Sequence, residues 1–313
     1  MSALLFPGQG SQIVGMGSEL YSSFDLVKNI FNQADNKLNY PISKIILDGP
    51  ENELQLTKNT QPAILTVSYS IFKVLKDEFN FDFDSFKYFA GHSLGEYSAL
   101  VCADSLNFND ALYLLHERGK AMQEAVPIGK GKMIAILGIK TEEIINILKT
   151  IEKKEGICQI ANDNAEGQVI VSGNKEKVEL LQNILKEKKV KSIPLKVSAP
   201  FHCSLMKPAA VLMKDKIKKT NFKNPIFKII NNVTASLETD SENIKELLVR
   251  QIFSTVKWRE SIIHMSQAGV KNFVEIGPGK VLTGMVKRTI KQANYFSINS
   301  ISDIKNFIDE YKK

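Results

Sequence analysis

The sequence feature that most constrains the fold is FAGHSLGEYSAL, residues 89–100, in which Ser93 is flanked by Gly91 and Gly95. The residues before it are typical of a short strand, and the small residues after it are typical of a helix. In G-x-S-x-G sequences the glycines make room for a sharp turn that lifts the serine hydroxyl above the sheet. Ser93 is therefore a candidate nucleophile, with a purely structural small-residue turn as the alternative.

Strand and helix patterns alternate along the chain. SALLF and SFKYFAG are typical of buried strands, and NTQPAILTVSYSIFKVLKDEF has helical apolar spacing that we take to begin at Pro62. NFNDALYLLHERGKAMQEA predicts an amphipathic helix capped by Asn107 or Asn109. GVKNFVEIGPGKVL predicts a strand, a turn and a helix near the C-terminus. This alternation predicts an α/β fold with a parallel sheet, of the α/β-hydrolase-like kind.

The middle of the chain has a different pattern. Strands are predicted at GKMIAILGI, ICQIAND, GQVIVSGN and VKSIPLKVS, and helices at TEEIINILKTIEKK and KEKVELLQNILKEKK. Their order, βαββαβ, is that of a ferredoxin-like domain. We therefore predict a large domain in two parts, residues 1–128 and 199–313, interrupted by a small inserted domain at 129–198. A cleft between the two domains is the expected place for a site.

A nucleophilic serine needs a base, and the chain contains four histidines. His92 adjoins Ser93 and should point away from its hydroxyl, whereas His116 and His264 lie in helical patterns. His202 lies in the turn-rich SAPFHCSLM that follows the inserted domain. By elimination His202 is the candidate base, and the alternative is a surface or core-lining histidine.

Arg118 is the clearest indication of the substrate. It falls on the apolar stripe of its predicted helix, together with residues such as Leu115 and Met122. A charged group in such a place is rarely buried unless it is paired. Arginine presents a rigid fork that suits a carboxylate. Arg118 therefore either pairs with an acid of this chain or binds an acidic ligand.

Composition excludes several other classes of function. No apolar run approaches the roughly 18 residues of a membrane span, and the first ten residues lack the pattern of a secretory signal. The three cysteines, at wide spacing and in odd number, suit a reducing cytoplasm without metal binding. The net charge of +7 comes almost entirely from lysine. Arginine and aromatic residues do not cluster as nucleic-acid binding would require.

Several motifs in order resemble the malonyl-CoA:acyl carrier protein transacylase family and the related acyltransferase domains of polyketide and fatty acid synthases. They are FPGQGSQ, GHSLGEYSALVCA, RGKAMQEAVP, PFHCSLMKPAA, NNVT, LVRQIF and EIGPGKVLTGMVKR. The resemblance covers nearly the whole chain. It implies that malonyl passes from coenzyme A to the phosphopantetheine thiol of acyl carrier protein through a serine ester, without a metal or bound cofactor.

The resemblance also implies roles for individual residues. Ser93 resembles the nucleophile and His202 its base, while the backbone N–H groups of Gln9 and Leu94 resemble an oxyanion hole. The PGQGSQ turn, which lacks the lysine of a phosphate-binding loop, suits that use. Arg118 resembles the residue that binds the malonyl carboxylate.

Three further positions follow from the same resemblance. The main-chain carbonyl of Gln251 resembles the group that orients the base. Met122 and Phe201 resemble pocket residues, and a bulky residue before the base accompanies malonyl preference in related synthase domains. We expect a cytoplasmic monomer that binds malonyl-CoA and acyl carrier protein, with the basic KVLTGMVKRTIK segment as a candidate docking surface. A serine esterase or thioesterase, an acyltransferase for another extender unit, and a non-catalytic carrier-binding scaffold remain the alternatives.

Overall fold

The computed structural model describes residues 1–195, 197 and 199–311. Within these ranges the strands are β1 (Ser2–Phe6), β2 (Phe86–Gly91), β3 (Gly131–Leu137), β4 (Cys158–Ala165), β5 (Gln168–Asn174), β6 (Lys191–Pro194), β7 (Lys228–Ile230), β8 (Leu237–Glu238), β9 (Asn272–Ile276) and β10 (Asn294–Ile298). The α-helices are α1 (Ser18–Ser23), α2 (Asp25–Leu38), α3 (Ile42–Leu47), α4 (Glu51–Leu54), α5 (Thr57–Lys73), α6 (Gly95–Cys102), α7 (Phe108–Glu124), α8 (Thr141–Thr150), α9 (Lys175–Glu187), α10 (Lys207–Lys219), α11 (Ser241–Gln251), α12 (Trp258–Gln267), α13 (Val281–Thr289) and α14 (Ile301–Tyr311). No helix in the described part of the chain is long and apolar enough to cross a membrane.

Six strands form the larger sheet, in the order β10-β9-β1-β2-β7-β8. Neighbouring strands are parallel except β7 and β8 at the edge. Every residue of β1 is buried, as expected for a parallel strand with helices on both faces. Leu4 and Phe6 pack into the core on the side of α5, α6 and α7, whereas Ala3 and Leu5 pack against α12 and α13. The predicted α/β fold with a parallel sheet is confirmed.

Four strands form a separate sheet, in the order β4-β5-β3-β6, and all its pairs are antiparallel. Ile134 and Ile136 of β3 pack on one face with apolar residues of α8 and α9. Met133 and Ala135 alternate with them and face the core of the larger domain. The chain order β3-α8-β4-β5-α9-β6 is the βαββαβ order that the sequence predicts for a ferredoxin-like unit.

The limits of the domains stay a prediction. The smaller sheet begins at Gly131 and ends at Pro194, so its strands lie inside the range 129–198. The limits placed at residues 198 and 313 fall outside the described residues. Both parts of the larger domain contribute to one sheet, because β1 and β2 precede the smaller sheet in the chain and β7 to β10 follow it.

The expected start of α5 is wrong. The helix begins at Thr57, so Pro62 lies inside it rather than at its first position. A proline has no N–H and leaves the carbonyl four residues earlier, that of Lys58, without its helical partner. His116 Nδ1 lies 3.2 Å from that oxygen and donates to it. A long-range contact thus offsets a local signal that normally marks a helix start.

Helix α7 packs directly on the backbone of α5. The side chain of Asn107 caps the start of α7 by accepting from Asn109 N at 2.9 Å, which decides between the two predicted caps. Near the other end of the helix, a Cβ on Gly119 would lie 2.5 Å from the carbonyl oxygen of Thr57. Only glycine allows this approach, and Arg118 is the adjacent residue.

The smaller sheet is attached to the larger domain through β4. Backbone hydrogen bonds join Asp163 N to Val256 O at 3.0 Å and Val256 N to Ala161 O at 2.9 Å. The Asp163 carboxylate also accepts from Nε and Nη2 of Arg259 at 2.8–3.0 Å, and only 4% of the Asp163 side chain is exposed. A paired buried charge therefore fixes the smaller sheet to the start of α12.

We expect Arg259→Met to lower the free energy of unfolding by about 3 kcal/mol, because the Asp163 carboxylate would stay buried without its partner. Lys257→Met is the matched control, since it removes an exposed ion pair with Glu260 that contributes roughly 0.5 kcal/mol or less. Urea denaturation followed by circular dichroism measures both changes. Equally small losses in the two variants would contradict a stabilising role for the buried pair.

Candidate active site

Ser93 lies in the turn between β2 and α6 with a φ of 54°, a left-handed conformation that costs energy for a residue with a side chain. A Cβ on Gly91 would lie 1.9 Å from the carbonyl oxygen of Gly95, and a Cβ on Gly95 would lie 2.2 Å from that of Phe6. Asn232 fastens the turn, since its Oδ1 accepts from Ser93 N at 2.7 Å and its Nδ2 donates to Gly91 O at 2.8 Å. Close packing at the two glycines and the hydrogen bonds of Asn232 therefore hold Ser93 in its strained conformation.

His202 reaches this serine from the loop after the smaller sheet. Its Nε2 lies 2.8 Å from Ser93 Oγ, and its Nδ1 lies 2.9 Å from the main-chain oxygen of Gln251. The carbonyl can only accept, so Nδ1 carries the proton and Nε2 is free to accept from the hydroxyl. Burial, with the nearby charge of Arg118, lowers the pKa of His202 to about 3. The imidazole is therefore neutral at ordinary pH.

The other histidines do not meet the serine hydroxyl. His92 Nε2 lies 2.8 Å from Asn164 Oδ1 on β4, and His116 and His264 lie on α7 and α12. Among the described residues His202 is the histidine in hydrogen-bonding contact with Ser93 Oγ. The structure thus brings together the two residues that the sequence singles out, across 109 positions of the chain.

Arg118 is 1% exposed, and the acceptors that its guanidinium contacts among the described residues are all neutral. Nη1 donates to Gln61 Oε1 at 2.8 Å, while Nη2 donates to Gln251 Oε1 at 2.8 Å and to Ser93 Oγ at 3.1 Å. Within the described ranges no carboxylate lies within 4.0 Å of it, and its Nε has no partner. The structure therefore excludes the internal ion pair that the sequence left open, for the residues it describes.

Gln251 connects these groups. It is the last residue of α11, so its carbonyl lacks a helical partner and is free to accept from His202. Its side-chain Oε1 accepts from Arg118, and its Nε2 donates to Glu96 Oε2 at 2.7 Å and to Ser93 O at 3.1 Å. One residue thereby positions the base, the cation and the turn.

Sequence reasoning missed Glu96, Gln61 and Asn232. Glu96 is 2% exposed, and its Oε2 accepts from Gln251 Nε2 and from Asn232 N. Burial raises the pKa of Glu96 to about 7, against these hydrogen bonds. An acidic residue in the otherwise apolar first turn after Ser93 was a signal for Glu96. No comparable signal in the sequence marked Gln61, because glutamine is common on helix surfaces.

A cleft of about 350 Å³ opens onto Ser93 and is lined by loops and helices of the larger domain and by strands of the smaller sheet. Gln9, Leu94, Met122 and Phe201 all lie in its wall. Gln9 follows β1 and Leu94 follows β2, which are parallel neighbours, so the two loops leave the same edge of the sheet. In the described part of the chain, neither backbone N–H donates to a protein acceptor.

Residues 3–307 match the model of the acyl transferase domain family. The chain belongs to this family. Malonyl CoA-acyl carrier protein transacylase of Bacillus subtilis is 42% identical over 313 residues, which cover 99% of this chain and 97% of that protein.

Solved structures of acyl transferases share the fold throughout. An acyl carrier protein S-malonyltransferase from Vibrio cholerae is 40% identical, with a TM-score of 0.94 over 97% of this chain and 99% of that one. A malonyl-transacylase solved in complex with a type II PKS acyl-carrier protein is 39% identical, with a TM-score of 0.94 over 99% of both chains. Both structural similarities extend over the larger and the smaller sheet of this chain.

The buried Glu96 predicts a pH dependence of stability. The unfolded chain loses this proton near pH 4.5, but the folded protein holds it until about pH 7. Stability therefore falls as the pH rises through that window, because the folded state binds the proton more tightly. Glu96→Gln stays neutral throughout and does not lose this stability.

We expect the free energy of unfolding of Glu96→Gln, minus that of the wild type, to rise by about 3 kcal/mol from about pH 4 to about pH 8. Urea denaturation at several pH values measures this difference. At the acidic end both side chains are neutral, so that point serves as the internal control. A difference that stays constant or falls with pH would contradict the prediction.

Proposed function

We propose that this chain transfers a malonyl group from malonyl-CoA to the phosphopantetheine thiol of an acyl carrier protein, through an ester on Ser93. The observation that carries the proposal is Arg118, a buried cation 3.1 Å from Ser93 Oγ that has no carboxylate partner among the described residues. A carboxylate on the acyl group would supply that partner. The names of the similar proteins and the solved carrier complex support the same transfer.

In the first half-reaction His202 Nε2 takes the hydroxyl proton while Ser93 Oγ attacks the thioester carbon. The distance of 2.8 Å between these atoms suits a direct transfer. We assign the oxyanion to the N–H groups of Gln9 and Leu94, which are free of protein acceptors in the described ranges. The C–S bond breaks, coenzyme A leaves with the proton from His202, and the malonyl ester remains.

In the second half-reaction the carrier thiol gives its proton to His202 and attacks the same carbonyl carbon. The C–O bond of the ester breaks, and Ser93 Oγ recovers the proton from His202. The Gln251 carbonyl keeps Nδ1 protonated in both halves, so Nε2 alone exchanges protons. We assign Met122 and Phe201 to the wall around the acyl group, because both line the cleft beside Arg118.

This chemistry requires no metal ion or bound cofactor, and coenzyme A enters as a substrate. The docking surface that we propose for the acidic carrier is the basic end of α13, with Lys287 and Arg288. Val281, Leu282 and Met285 of the same helix line the cleft, so a carrier bound there would have its thiol beside the entrance. We further propose a cytoplasmic monomer, in keeping with cysteines that are all unpaired thiols.

The alternative functions differ in what accepts or supplies the acyl group. A serine esterase or thioesterase would use Ser93 on the same turn, with water as the acyl acceptor, and would have no use for the Arg118 guanidinium. An acyltransferase for another extender unit would keep Arg118 but accept a branched acyl group beside Phe201. A non-catalytic scaffold would have no use for the hydrogen bond between Ser93 and His202.

We expect malonyl-CoA to acylate Ser93 and the ester to persist until a carrier thiol is added. Intact-protein mass spectrometry detects the added malonyl group, with methylmalonyl- and acetyl-CoA compared in parallel. Ser93→Ala should remove the adduct and the transfer while still binding carrier protein. Rapid release of free malonate without a carrier thiol would favour the hydrolase, and preferred acylation by methylmalonyl-CoA would favour another extender unit.

We expect Arg118→Ala to lower kcat/KM for malonyl-CoA by roughly 10²–10³-fold, because a buried charge pair with the substrate carboxylate is lost. Transfer of acetyl, which has no carboxylate, should be retained or increase. Lys120→Ala removes an exposed cation from the same helix and is the matched control. Equal losses for the malonyl and acetyl substrates would mean that Arg118 is structural.

A further inference from the structure

Ser93 Oγ lies between a base and a cation. His202 Nε2 is 2.8 Å from it on one side, and Arg118 Nη2 is 3.1 Å from it on the other. The hydroxyl donates to the imidazole, so the guanidinium N–H donates to an oxygen lone pair. Ser93 Oγ, the atom that must attack the thioester in the proposed reaction, is thus itself an acceptor for a buried positive charge.

This arrangement lowers the reactivity of the serine in two ways. The hydrogen bond from Arg118 stabilises a lone pair of Oγ and makes it a weaker nucleophile. The same charge, after burial, is a cause of the low pKa of His202, so it weakens the base as well. Arg118 and His202 are 1% and 6% exposed, so water screens the interaction little.

The charge of Arg118 is available to a ligand. In the part of the chain that the structure describes, Gln61 and Gln251 give its Nη atoms neutral acceptors, and its Nε has no partner. A carboxylate that approaches the guanidinium would neutralise it and compete with Ser93 Oγ for Nη2. A neutral acyl group of the same length would leave the hydrogen bonds of Arg118, including the one to Ser93 Oγ, unchanged.

We propose that Arg118 restrains Ser93 and His202 until a substrate carboxylate takes over the guanidinium, so that selection of the acyl group occurs partly by activation of the nucleophile. This rests on the proposed malonyl transfer. The step that is accelerated is the acylation itself: the Oγ–H proton passes to His202 Nε2, the Oγ–C bond forms and the C–S bond breaks. The thiolate of coenzyme A then takes the proton from His202.

The test supplies the carboxylate separately from the acyl group. Acetyl-CoA and sodium formate together contain the two parts of a malonyl group, and formate is small enough to reach Arg118 beside an acetyl thioester. The rate of acetylation of Ser93 is measured by intact-protein mass spectrometry as formate is increased. Sodium chloride at equal ionic strength controls for salt, and Lys120→Ala controls for anions bound elsewhere on α7.

We expect formate to accelerate acetylation of the wild type and of Lys120→Ala by roughly tenfold, well within what one general base contributes. Arg118→Ala should acetylate faster than the wild type without formate and should not respond to it. In the wild type alone, formate should also inhibit malonylation competitively, at the concentrations that accelerate acetylation. This opposite effect on two acyl donors tests the proposal even if Arg118→Ala does not fold.

The proposal is overturned if formate leaves acetylation unchanged or slows it while malonyl-CoA still acylates Ser93. It is also overturned if chloride accelerates as much as formate, or if Arg118→Ala responds like the wild type. A failure of the proposed function looks different, because malonyl-CoA itself would then leave Ser93 without an ester.

Discussion

A buried guanidinium that contacts no carboxylate among the described residues is the constraint on which the rest of the site depends. Burial lowers the pKa of Arg118, while the more distant Tyr97 and Glu96 raise it. Among the described residues, the direct hydrogen-bond acceptors of its guanidinium are two amide oxygens and one hydroxyl. A cation held by neutral dipoles is less stable than one in an ion pair. Under the proposed function that unfavourable state is useful, because the substrate carboxylate supplies a partner that the described residues do not provide.

The orientation of the Gln251 amide follows from its surroundings. The Glu96 carboxylate accepts from the Gln251 NH₂ group, so the amide oxygen faces Arg118. Reversing the amide would place its NH₂ against the guanidinium and its oxygen against Glu96. Because the carbonyl of the same residue accepts from His202, the positions of base and cation depend on one helix end, that of α11.

Local signals were enough to predict part of this site. The paired glycines identified Ser93, the small number of histidines identified His202, and a charge on an apolar stripe identified Arg118. The contacts of Gln61 and Asn232 depend on which helices and loops meet in space. Asn232 lies in the NNVT motif, but that motif does not show which residues its side chain contacts. Pro62 shows the same limit for secondary structure. The Lys58 carbonyl, which Pro62 leaves without a helical partner, accepts from His116, 58 positions further along the chain. The catalytic roles themselves stay predictions for the experiments above.

The close approach of α7 to α5 has a consequence for the length of the acyl group. Gly119 lets the α7 backbone rest directly on α5, and Arg118 is the next residue along the same helix. The depth at which the guanidinium sits is thus set by main-chain contact rather than by adjustable side chains. Under the proposed function, the separation between Ser93 Oγ and Arg118 limits the length of the dicarboxylic acyl group, and this separation is kept rigid by a residue with no side chain.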